Sequence, residues 1–498
     1  MDARLGQLSL GIWDFGWTVV GMCTFATAGI RSSVSTYVAR FVANRKYDSF
    51  NDIVNSCLVL FATAGVLTLA ALAAMAVFLE RIFPDAFGDE LAMARWTMAI
   101  LGTSAALQLP LGVFNGILTG NQRYGLVNAI DGGVHIARLV PLIALLIMGM
   151  PLIWLAIIMF ASELVDGFLK YLAARRIAPY LRLSARHVKI STIRFAVVFG
   201  GKDFLEAASR LLMYQAINML VTTFMGAPLL AVFNRPMAMI QHAQRILTKM
   251  AAVFEPAASE AYARNDHPAL QEMLVKGVRY SLFISLPLIA GMVVFGGAFL
   301  ELWMGPNYRQ GALIAVMALG NFGFLTQRTT YHILLGTGNH GRAALAMFLG
   351  AAASVVGAYV GLAVYQVGFV GLSLIIGVPF TLVNALYIPT HACRVCKMTV
   401  YHLLRRAVPG PTLAVLPFAA GLVLTYLLAG SSLTPFVFLG VALSSFLLVL
   451  TYWQIAVPPS IKDKVGSMTR EVLGRLFPSA ARRPGPRAGL SEDGEITP

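Results

Sequence analysis

Thr119-Gly120-Asn121-Gln122 returns in the second half of the chain as Thr337-Gly338-Asn339-His340, and each copy closes one long apolar segment and opens the next. Solenoid repeats have periods of roughly 20–50 residues, so this much longer period indicates two fused half-molecules. Two further pairs of similar stretches are separated by nearly the same number of residues. The first matches Leu10, Ile12, Trp13 and Asp14 with Leu230, Val232, Phe233 and Asn234. The second matches Asn51, Asp52 and Ile53 with Gln271, Glu272 and Met273.

The composition indicates a membrane protein. Hydrophobic residues make up 58% and charged residues 12% of the 498 residues, and the mean hydropathy is +0.73. Soluble domains carry about 25% charged residues. The apolar segments are long and lack strand-like alternation, so we predict an all-α membrane protein with about thirteen transmembrane helices, each long enough to cross about 30 Å of hydrocarbon. These segments are 10–40, 54–79, 95–119, 124–148, 151–174, 195–225, 228–258, 278–303, 310–337, 342–366, 368–392, 408–430 and 433–456.

The net charge of +15 reflects membrane topology and does not indicate nucleic-acid binding. Basic residues cluster after every second apolar segment, and the intervening loops hold few. Because cytoplasmic loops are enriched in Lys and Arg, we predict that the odd-numbered segments exit into the cytoplasm and that the C-terminus lies there. The clusters comprise Arg40, Arg45 and Lys46; Arg123; Arg175, Arg176, Arg182, Arg186 and Lys189; Arg264, Lys276 and Arg279; Arg342; and Arg394, Lys397, Arg405 and Arg406.

This topology would leave the N-terminus outside the cell. The second half has a segment, 195–225, before its copy of Leu10–Asp14, and the first half has none. We therefore expect that one N-terminal helix is missing from this sequence through a misplaced start codon. A genuine thirteen-span protein is the alternative, and residues 1–12 lack the features of a cleavable signal peptide.

The repeat predicts two pseudo-symmetric helical lobes around a central cavity, because duplicated halves of membrane proteins usually flank a substrate pathway. We predict an N-terminal lobe over residues 1–180, a C-terminal lobe over 190–400 and two extra transmembrane helices over 405–457. Residues 458–498 are expected to form a cytoplasmic tail. Its apolar stripe between Ile461 and Leu476 is flanked by basic residues and is typical of a surface helix on anionic lipid, and the rest is expected to be disordered.

Ionisable residues inside the membrane normally face a cavity or a partner. In segment 228–258, Asn234, Gln241, Arg245, Thr248 and Lys249 share one helical face, and the like charges of Arg245 and Lys249 favour a nearby anion. Neutralisation by acids of another helix is the alternative. The predicted substrate-binding residues of a cationic cavity are Arg31, Arg138, Arg210, Gln241, Arg245, Lys249 and Arg328.

Several of these positions have a structural interpretation beside the functional one. Glu206 lies one turn from both Lys202 and Arg210 and can pair with either, and Asp131, His135 and Arg138 can form a self-contained network. Snorkelling to the membrane surface explains Arg235, near the outer end of its segment, as readily as a function does.

Glu163 and Asp166 form an acidic pair in the middle of a span. Two close carboxylates tend to share a proton, which would suit proton coupling. Lys170 lies one turn from Asp166 and offers an ordinary salt bridge instead.

Signatures of catalytic chemistry are absent from the sequence. There is no GxxxxGK[ST] phosphate loop and no HExxH zinc helix, so we expect no enzymatic activity and no cofactor. Cys393-Arg-Val-Cys396 has no second cysteine pair, which favours reduced cytoplasmic thiols over a zinc site.

The run Leu10-Gly11-Ile12-Trp13-Asp14-Phe15-Gly16 resembles the turn after the first helix of bacterial oligosaccharide flippases. Residues 35–45 resemble the end of their second helix, and residues 214–237 resemble their seventh-to-eighth helix junction. The resemblance covers most of residues 5–400 and implies the multidrug/oligosaccharidyl-lipid/polysaccharide superfamily. In that fold two six-helix lobes form a V, and many flippases add two C-terminal helices. This chain then follows a 14-helix pattern that lacks the first helix, and it has Ile217 and Asn218 where members often carry an Asp-Arg pair.

The resemblance and the basic cavity together predict a flippase of the bacterial inner membrane that moves a polyprenyl-pyrophosphate-linked oligosaccharide by alternating access, for cell-surface polysaccharide biosynthesis. The expected partners are this lipid-linked oligosaccharide, membrane lipids, a polysaccharide polymerase and glycosyltransferases. A drug or metabolite antiporter of the same superfamily is one alternative, although an acidic cavity would suit it better. A non-transporting membrane scaffold of a polysaccharide assembly complex is another.

Overall fold

A computed structural model describes residues 2–25, 28–194, 204–430 and 435–455 of the chain. These ranges consist of helices joined by short turns and loops and contain no strand. The first half contains α1 (Asp2–Phe25), α2 (Ala28–Ala43), α3 (Tyr47–Ile82), α4 (Leu91–Gly120), α5 (Tyr124–Ile147) and α6 (Leu152–Ile177). The second half contains α7 (Phe204–Leu211), α8 (Ile217–Met225), α9 (Ala227–Ala252), α10 (Phe254–Ala263), α11 (His267–Met304), α12 (Gly311–Gly320), α13 (Phe322–Gly336), α14 (Gly341–Ala363), α15 (Phe369–Leu382) and α16 (Ile388–Val395). The helices α17 (Val400–Ala407), α18 (Pro409–Ala429) and α19 (Pro435–Ile455) follow.

Nine helical stretches of the described chain are long and apolar enough to cross a membrane: Tyr47–Ile82, Gly88–Gly120, Tyr124–Ile147, Leu152–Ile177, His267–Met304, Gly341–Ala363, Phe369–Val395, Pro409–Ala429 and Pro435–Ile455. Each coincides with a predicted segment. Of the other predicted segments, 10–40 is divided between α1 and α2, 310–337 is divided at Asn321, and 228–258 carries cations within α9. Residues 195–203 and the predicted tail lie outside the described residues. The all-α membrane fold is therefore confirmed, and the count of thirteen spans stays a prediction.

Local chemistry sets several helix boundaries. The Asp266 carboxylate accepts a hydrogen bond from Ala269 N at 3.0 Å and caps α11, whose second residue is a proline. Gly226 turns the chain from α8 into α9 with φ = 86°, a conformation that side chains with a Cβ disfavour. Two π-helical turns, Leu212–Ala216 and Val383–Tyr387, join α7 to α8 and α15 to α16.

The duplicated residues occupy equivalent places in the two halves. Asn51, near the start of α3, accepts a hydrogen bond from Arg182 N at 2.7 Å and donates one to Tyr180 O at 3.0 Å. Its sequence counterpart Gln271, near the start of α11, donates to Cys396 O at 3.1 Å. In each half a side-chain amide therefore binds the chain segment that leaves the last helix of that half, as expected for a duplicated unit.

The hydrophobic core shows where the two lobes meet. One large cluster runs from Leu10 and Phe15 of α1 and Leu79 at the end of α3 into α9 and the rest of the second half. A separate cluster, with Phe50 and Ile117 among its members, fills the opposite end of the first lobe, where α2 ends and α3 begins. The lobes consequently share a core at one end and have separate cores at the other.

The last two helices pack on the second lobe. Val415 and Phe418 of α18 and Val437 of α19 form a small core with Phe295 of α11. The Tyr452 hydroxyl of α19 also donates a hydrogen bond to Phe283 O of α11. No residue of α18 or α19 belongs to the large core that the two lobes share.

Candidate functional site

The contact between the lobes is a seam along one face of α1. Gly11, Asp14, Thr18 and Gly21 recur at the spacing of one helical face and all meet the second lobe. A Cβ added at Gly11 would lie 1.8 Å from the carbonyl oxygen of Ala227, so only glycine permits this approach.

Polar contacts reinforce the seam. The Asp14 carboxylate forms an ion pair with the Arg235 guanidinium, and both side chains are largely buried. The Asn218 amide donates to Thr18 Oγ1 at 3.0 Å. Ala227 N donates to Ala86 O at 3.0 Å, which attaches the loop after α3 to the first residue of α9. Arg235 is therefore bound to the opposite lobe, and of its two interpretations the snorkelling one does not fit this buried position.

A polar pocket of about 240 Å³ lies directly beside the seam, between the lobes. Both lobes contribute side chains to it, and we call it the apex pocket. Trp17 is 37% exposed and forms a T-shaped pair with Trp13, with ring centroids 6.2 Å apart. The pocket is lined by Asp14, Trp17 and Thr18 of α1, Tyr214 and Gln215 of the π-helical turn, Asn218 of α8, and Asn234, Arg235, Ala238 and Gln241 of α9.

The face of α9 continues from the apex pocket into a set of exposed basic residues, His242, Arg245 and Lys249, which we call the basic face. Exposure increases along the helix: Asn234 and Gln241 are half-buried, whereas Arg245 and Lys249 are exposed. At about 1.5 Å per residue, Asn234 and Lys249 are about 22 Å apart along the axis. The face of α9 that leaves the apex pocket is thus increasingly exposed away from the seam.

The basic face has no neutralising acid in the described parts of the chain. Arg245 donates to His242 Nδ1 at 2.8 Å, and no carboxylate forms an ion pair with Arg245 or Lys249. Like charges one turn apart on a helix repel each other. The arrangement therefore favours an anion between these side chains.

Arg328, one of the predicted substrate-binding residues, lies inside the second lobe and has an acidic partner. Its side chain is only 7% exposed and forms an ion pair with Glu206 of α7 at 3.1 Å. Its Nε donates to Thr248 at 3.2 Å, and its guanidinium lies over the Phe324 and Tyr331 rings. Arg328 therefore holds α7 and α9 against α13 inside the second lobe. Thr248 accordingly faces the lobe interior, unlike its neighbours on the basic face.

The other predicted basic positions lie apart from the basic face or outside the described side chains. Arg138 on α5 pairs with Glu163 on α6 at 3.3 Å, within the first lobe. Arg210 is exposed in the last turn of α7. Arg31 belongs to α2, but its side chain lies outside the described ones, as does the whole of Lys202.

Glu163 and Asp166 each have a basic partner in the first lobe. Lys170 Nζ lies 2.7 Å from Asp166 and 2.5 Å from Asp131, and Arg138 pairs with Glu163. The structure therefore contains the Asp166–Lys170 salt bridge that the spacing of these residues allows. A role of the two carboxylates in proton coupling stays a prediction.

Cys393 and Cys396 are buried free thiols. Burial, with a smaller contribution from the neighbouring Cys393, raises the pKa of Cys396 to about 12. No group of three metal-ligating side chains occurs in the described ranges. The arrangement is that of inert structural thiols.

Sequence reasoning missed the apex pocket as a site. Trp17 and Gln215 carry no charge and belong to no recognisable sequence pattern. Asn218 is distinguished in the sequence only as a departure from a family motif. The signal that could have found the seam is the run of Gly11, Asp14, Thr18 and Gly21 on one helical face.

The chain is similar to two protein-family models and to one known membrane protein. Residues 135–312 match the family model described as "Polysaccharide biosynthesis protein", and residues 1–130 match the family model "MatE". The chain is 21% identical over 421 residues to the uncharacterized membrane protein EpsK of Bacillus subtilis (strain 168), covering 81% of each chain.

Solved structures of similar fold are transporters. An inward-facing multidrug resistance MATE family transporter of the MOP superfamily gives a TM-score of 0.65 at 17% identity, covering 79% of this chain and 95% of that one. An outward-facing structure of such a transporter gives 0.56 at 17% identity, covering 79% and 89%. A MOP superfamily transporter from Pyrococcus furiosus Vc1, described as having a binding pocket of reverse polarity, gives 0.58 at 17% identity, covering 79% and 89%.

Proposed function

Because this chain is a transporter of the multidrug/oligosaccharidyl-lipid/polysaccharide (MOP) superfamily, we propose that it is a flippase for a lipid-linked oligosaccharide. It carries the glycan and its pyrophosphate across the bacterial inner membrane through the space between the lobes, while the polyprenyl chain remains in the lipid. The glycan is used for cell-surface polysaccharide. The observation that carries this proposal is the basic face of α9, which has two cations and no acidic partner among the described residues.

The sign of this charge distinguishes the proposal from drug transport. A carrier of organic cations needs uncompensated acid in its cavity, because a buried cation is costly without an opposite charge. Asp14 is compensated by Arg235, whereas Arg245 and Lys249 are exposed and positive. A pyrophosphate supplies the anion that Arg245 and Lys249 lack, and Arg can bind it through two parallel hydrogen bonds.

The seam supports a transport step in which the cavity opens to alternate sides. The lobes meet at the end where α9 begins, which the distribution of basic loops assigns to the outside. The cavity then opens to the cytoplasm, where lipid-linked precursors carry their newly made glycan. The higher similarity score against the inward-facing structure supports the same conformation.

Flipping by reconstituted protein tests the proposal. Proteoliposomes would contain a fluorescent polyprenyl pyrophosphate that carries one hexose, and a membrane-impermeant quencher would report how much probe reaches the outer leaflet. The Arg245→Ala, Lys249→Ala double variant should lose flipping, whereas Arg245→Lys should retain more than Arg245→Gln because charge is required. Arg264→Ala, which removes an exposed cation outside the cavity, is the matched control and should leave flipping unchanged. Equal flipping by wild type and the double variant would refute the role of the basic face.

A further inference from the structure

We propose that the apex pocket is a saccharide subsite, in which Trp17 stacks on a sugar ring and the amides around it bind the hydroxyls. This inference rests on the proposed flippase function and assigns the part of the substrate that the basic face does not bind. It concerns Trp17, Asn218, Asn234 and Gln241, which lie on three helices from both lobes.

The chemistry of the pocket fits a neutral polyol. A pyranose ring has an apolar C–H face, which packs on an aromatic ring, and hydroxyls around its edge that need both donors and acceptors. The indole of Trp17 supplies an exposed aromatic surface inside a polar pocket. Side-chain amides provide a donor and an acceptor in one group, and Gln241 has no hydrogen-bond partner within the described residues.

The charge of the pocket argues against an ionic ligand. Its two ionisable side chains of opposite sign, Asp14 and Arg235, neutralise each other in a direct ion pair. Neither is then available to hold an anion or a cation. The volume of about 240 Å³ accommodates a single sugar ring.

The position of the pocket fits the covalent order of a lipid-linked glycan. Gln241 lies one helical turn, about 6 Å, before Arg245 on the same face of α9. In the proposed substrate the first sugar is bonded directly to the pyrophosphate. A pyrophosphate on Arg245 and Lys249 would therefore bring that first sugar to the apex pocket.

The subsite also sits against the elements that must separate during transport. Thr18 and Asn218 line the pocket and hydrogen-bond to each other across the seam, and Trp17 is next to Thr18 in the chain. A sugar that occupies the pocket competes with these seam contacts for the same amide. Occupancy of the apex pocket is thus coupled to the state of the seam.

The test compares two fluorescent probes in proteoliposomes, polyprenyl pyrophosphate with one hexose and the same lipid without sugar. Trp17→Ala should slow flipping of the hexose probe about tenfold, the loss expected for one aromatic stacking contact, and should leave the sugar-free probe unchanged. Trp17→Phe should retain most of the hexose selectivity, and Gln241→Leu should reduce it. Trp96→Ala, which removes an exposed tryptophan of α4 outside the pocket, is the control and should behave as wild type.

The outcomes separate this inference from the proposed function. If the wild-type protein flips neither probe, the flippase function itself fails. If the wild type flips both and Trp17→Ala slows both equally, or slows neither, the saccharide subsite is refuted while the flippase function stands.

Discussion

Asp14 of α1 and Arg235 of α9 form an ion pair that joins the two lobes across the seam. Both side chains are largely buried, so the pair lies in a medium where an uncompensated charge is costly. The pair can exist only when the lobes are closed at this end. In the proposed alternating-access cycle the pair must break, so its strength would contribute to the balance between the two orientations of the cavity.

We predict that Asp14→Asn shifts the protein toward the state in which the seam is open, because the variant keeps the shape of the side chain and removes its charge. Spin labels at Asp89→Cys and Asn307→Cys, on exposed loops of the two lobes at the seam end, would report the change as a longer distance in a background without native cysteines. The exchanged pair, Asp14→Arg with Arg235→Asp, should partly restore the short distance. An unchanged distance distribution in Asp14→Asn would contradict a gating role for the ion pair.

Gly11 provides a steric test of the same seam. A Cβ at this position would lie 1.8 Å from the Ala227 carbonyl oxygen, and that oxygen belongs to backbone that cannot rotate away. Gly11→Ala should therefore also lengthen the distance between the labels. Gly132→Ala is the control, since a Cβ there meets no atom within 4 Å. A label distance in Gly11→Ala that matches wild type would show that the seam tolerates a methyl group and is not closely packed.

The ion pair of Arg328 with Glu206 should stabilise the second lobe. Arg328→Ala leaves a carboxylate buried without its partner, a change that typically costs about 3–5 kcal/mol, so the melting temperature in detergent should fall by several degrees. The exposed pair of Arg264 with Glu260, with side chains 74% and 63% exposed, is the control. Arg264→Ala should change the melting temperature little, because exposed pairs contribute about 0–1 kcal/mol. Equal melting temperatures for the two variants would contradict the structural role of Arg328.

Cys396 should resist alkylation in the folded protein. Its pKa is raised to about 12 by burial, so at pH 8 almost all of the thiol is protonated and the reactive thiolate is scarce. The thiolate fraction rises about tenfold per pH unit below the pKa. The alkylation rate of Cys396 with a maleimide should therefore keep rising well beyond pH 9, where the rate for an ordinary thiol levels off. Peptide mass spectrometry after timed labelling measures this rate, and denatured protein provides the reference. Rapid labelling of native Cys396 at pH 8 would show that the thiol is accessible and unperturbed.

The sequence predicted the features that depend on local pattern. Helical periodicity placed Gln241, Arg245 and Lys249 on one face, and the structure puts them side by side along α9. The repeat matched Asn51 with Gln271, and both turn out to clamp the chain that leaves the last helix of their half. Such positions are fixed by helix geometry and by the duplication, which are both visible in the order of residues.

Long-range partners could not be predicted in this way. Asp14 and Arg235 belong to different lobes, and Glu206 and Arg328 belong to helices that only the fold brings together. A buried cation and a cation in an open cavity cannot be distinguished in a sequence, so the sequence predicts the same substrate-binding role for Arg328 and Arg245. The apex pocket was missed because tryptophan and amide side chains are common in helices and become a site only when two lobes converge.

The flipping preference of the wild-type protein distinguishes a flippase from a drug antiporter. Proteoliposomes would be offered the fluorescent polyprenyl pyrophosphate that carries one hexose and, in a parallel experiment, a fluorescent lipophilic cation. A flippase with the basic face described above should move the anionic lipid-linked sugar and leave the cation distribution at the level of protein-free vesicles. Transport of the cation without movement of the lipid-linked sugar would contradict the flippase and identify the chain as a drug antiporter of the same superfamily.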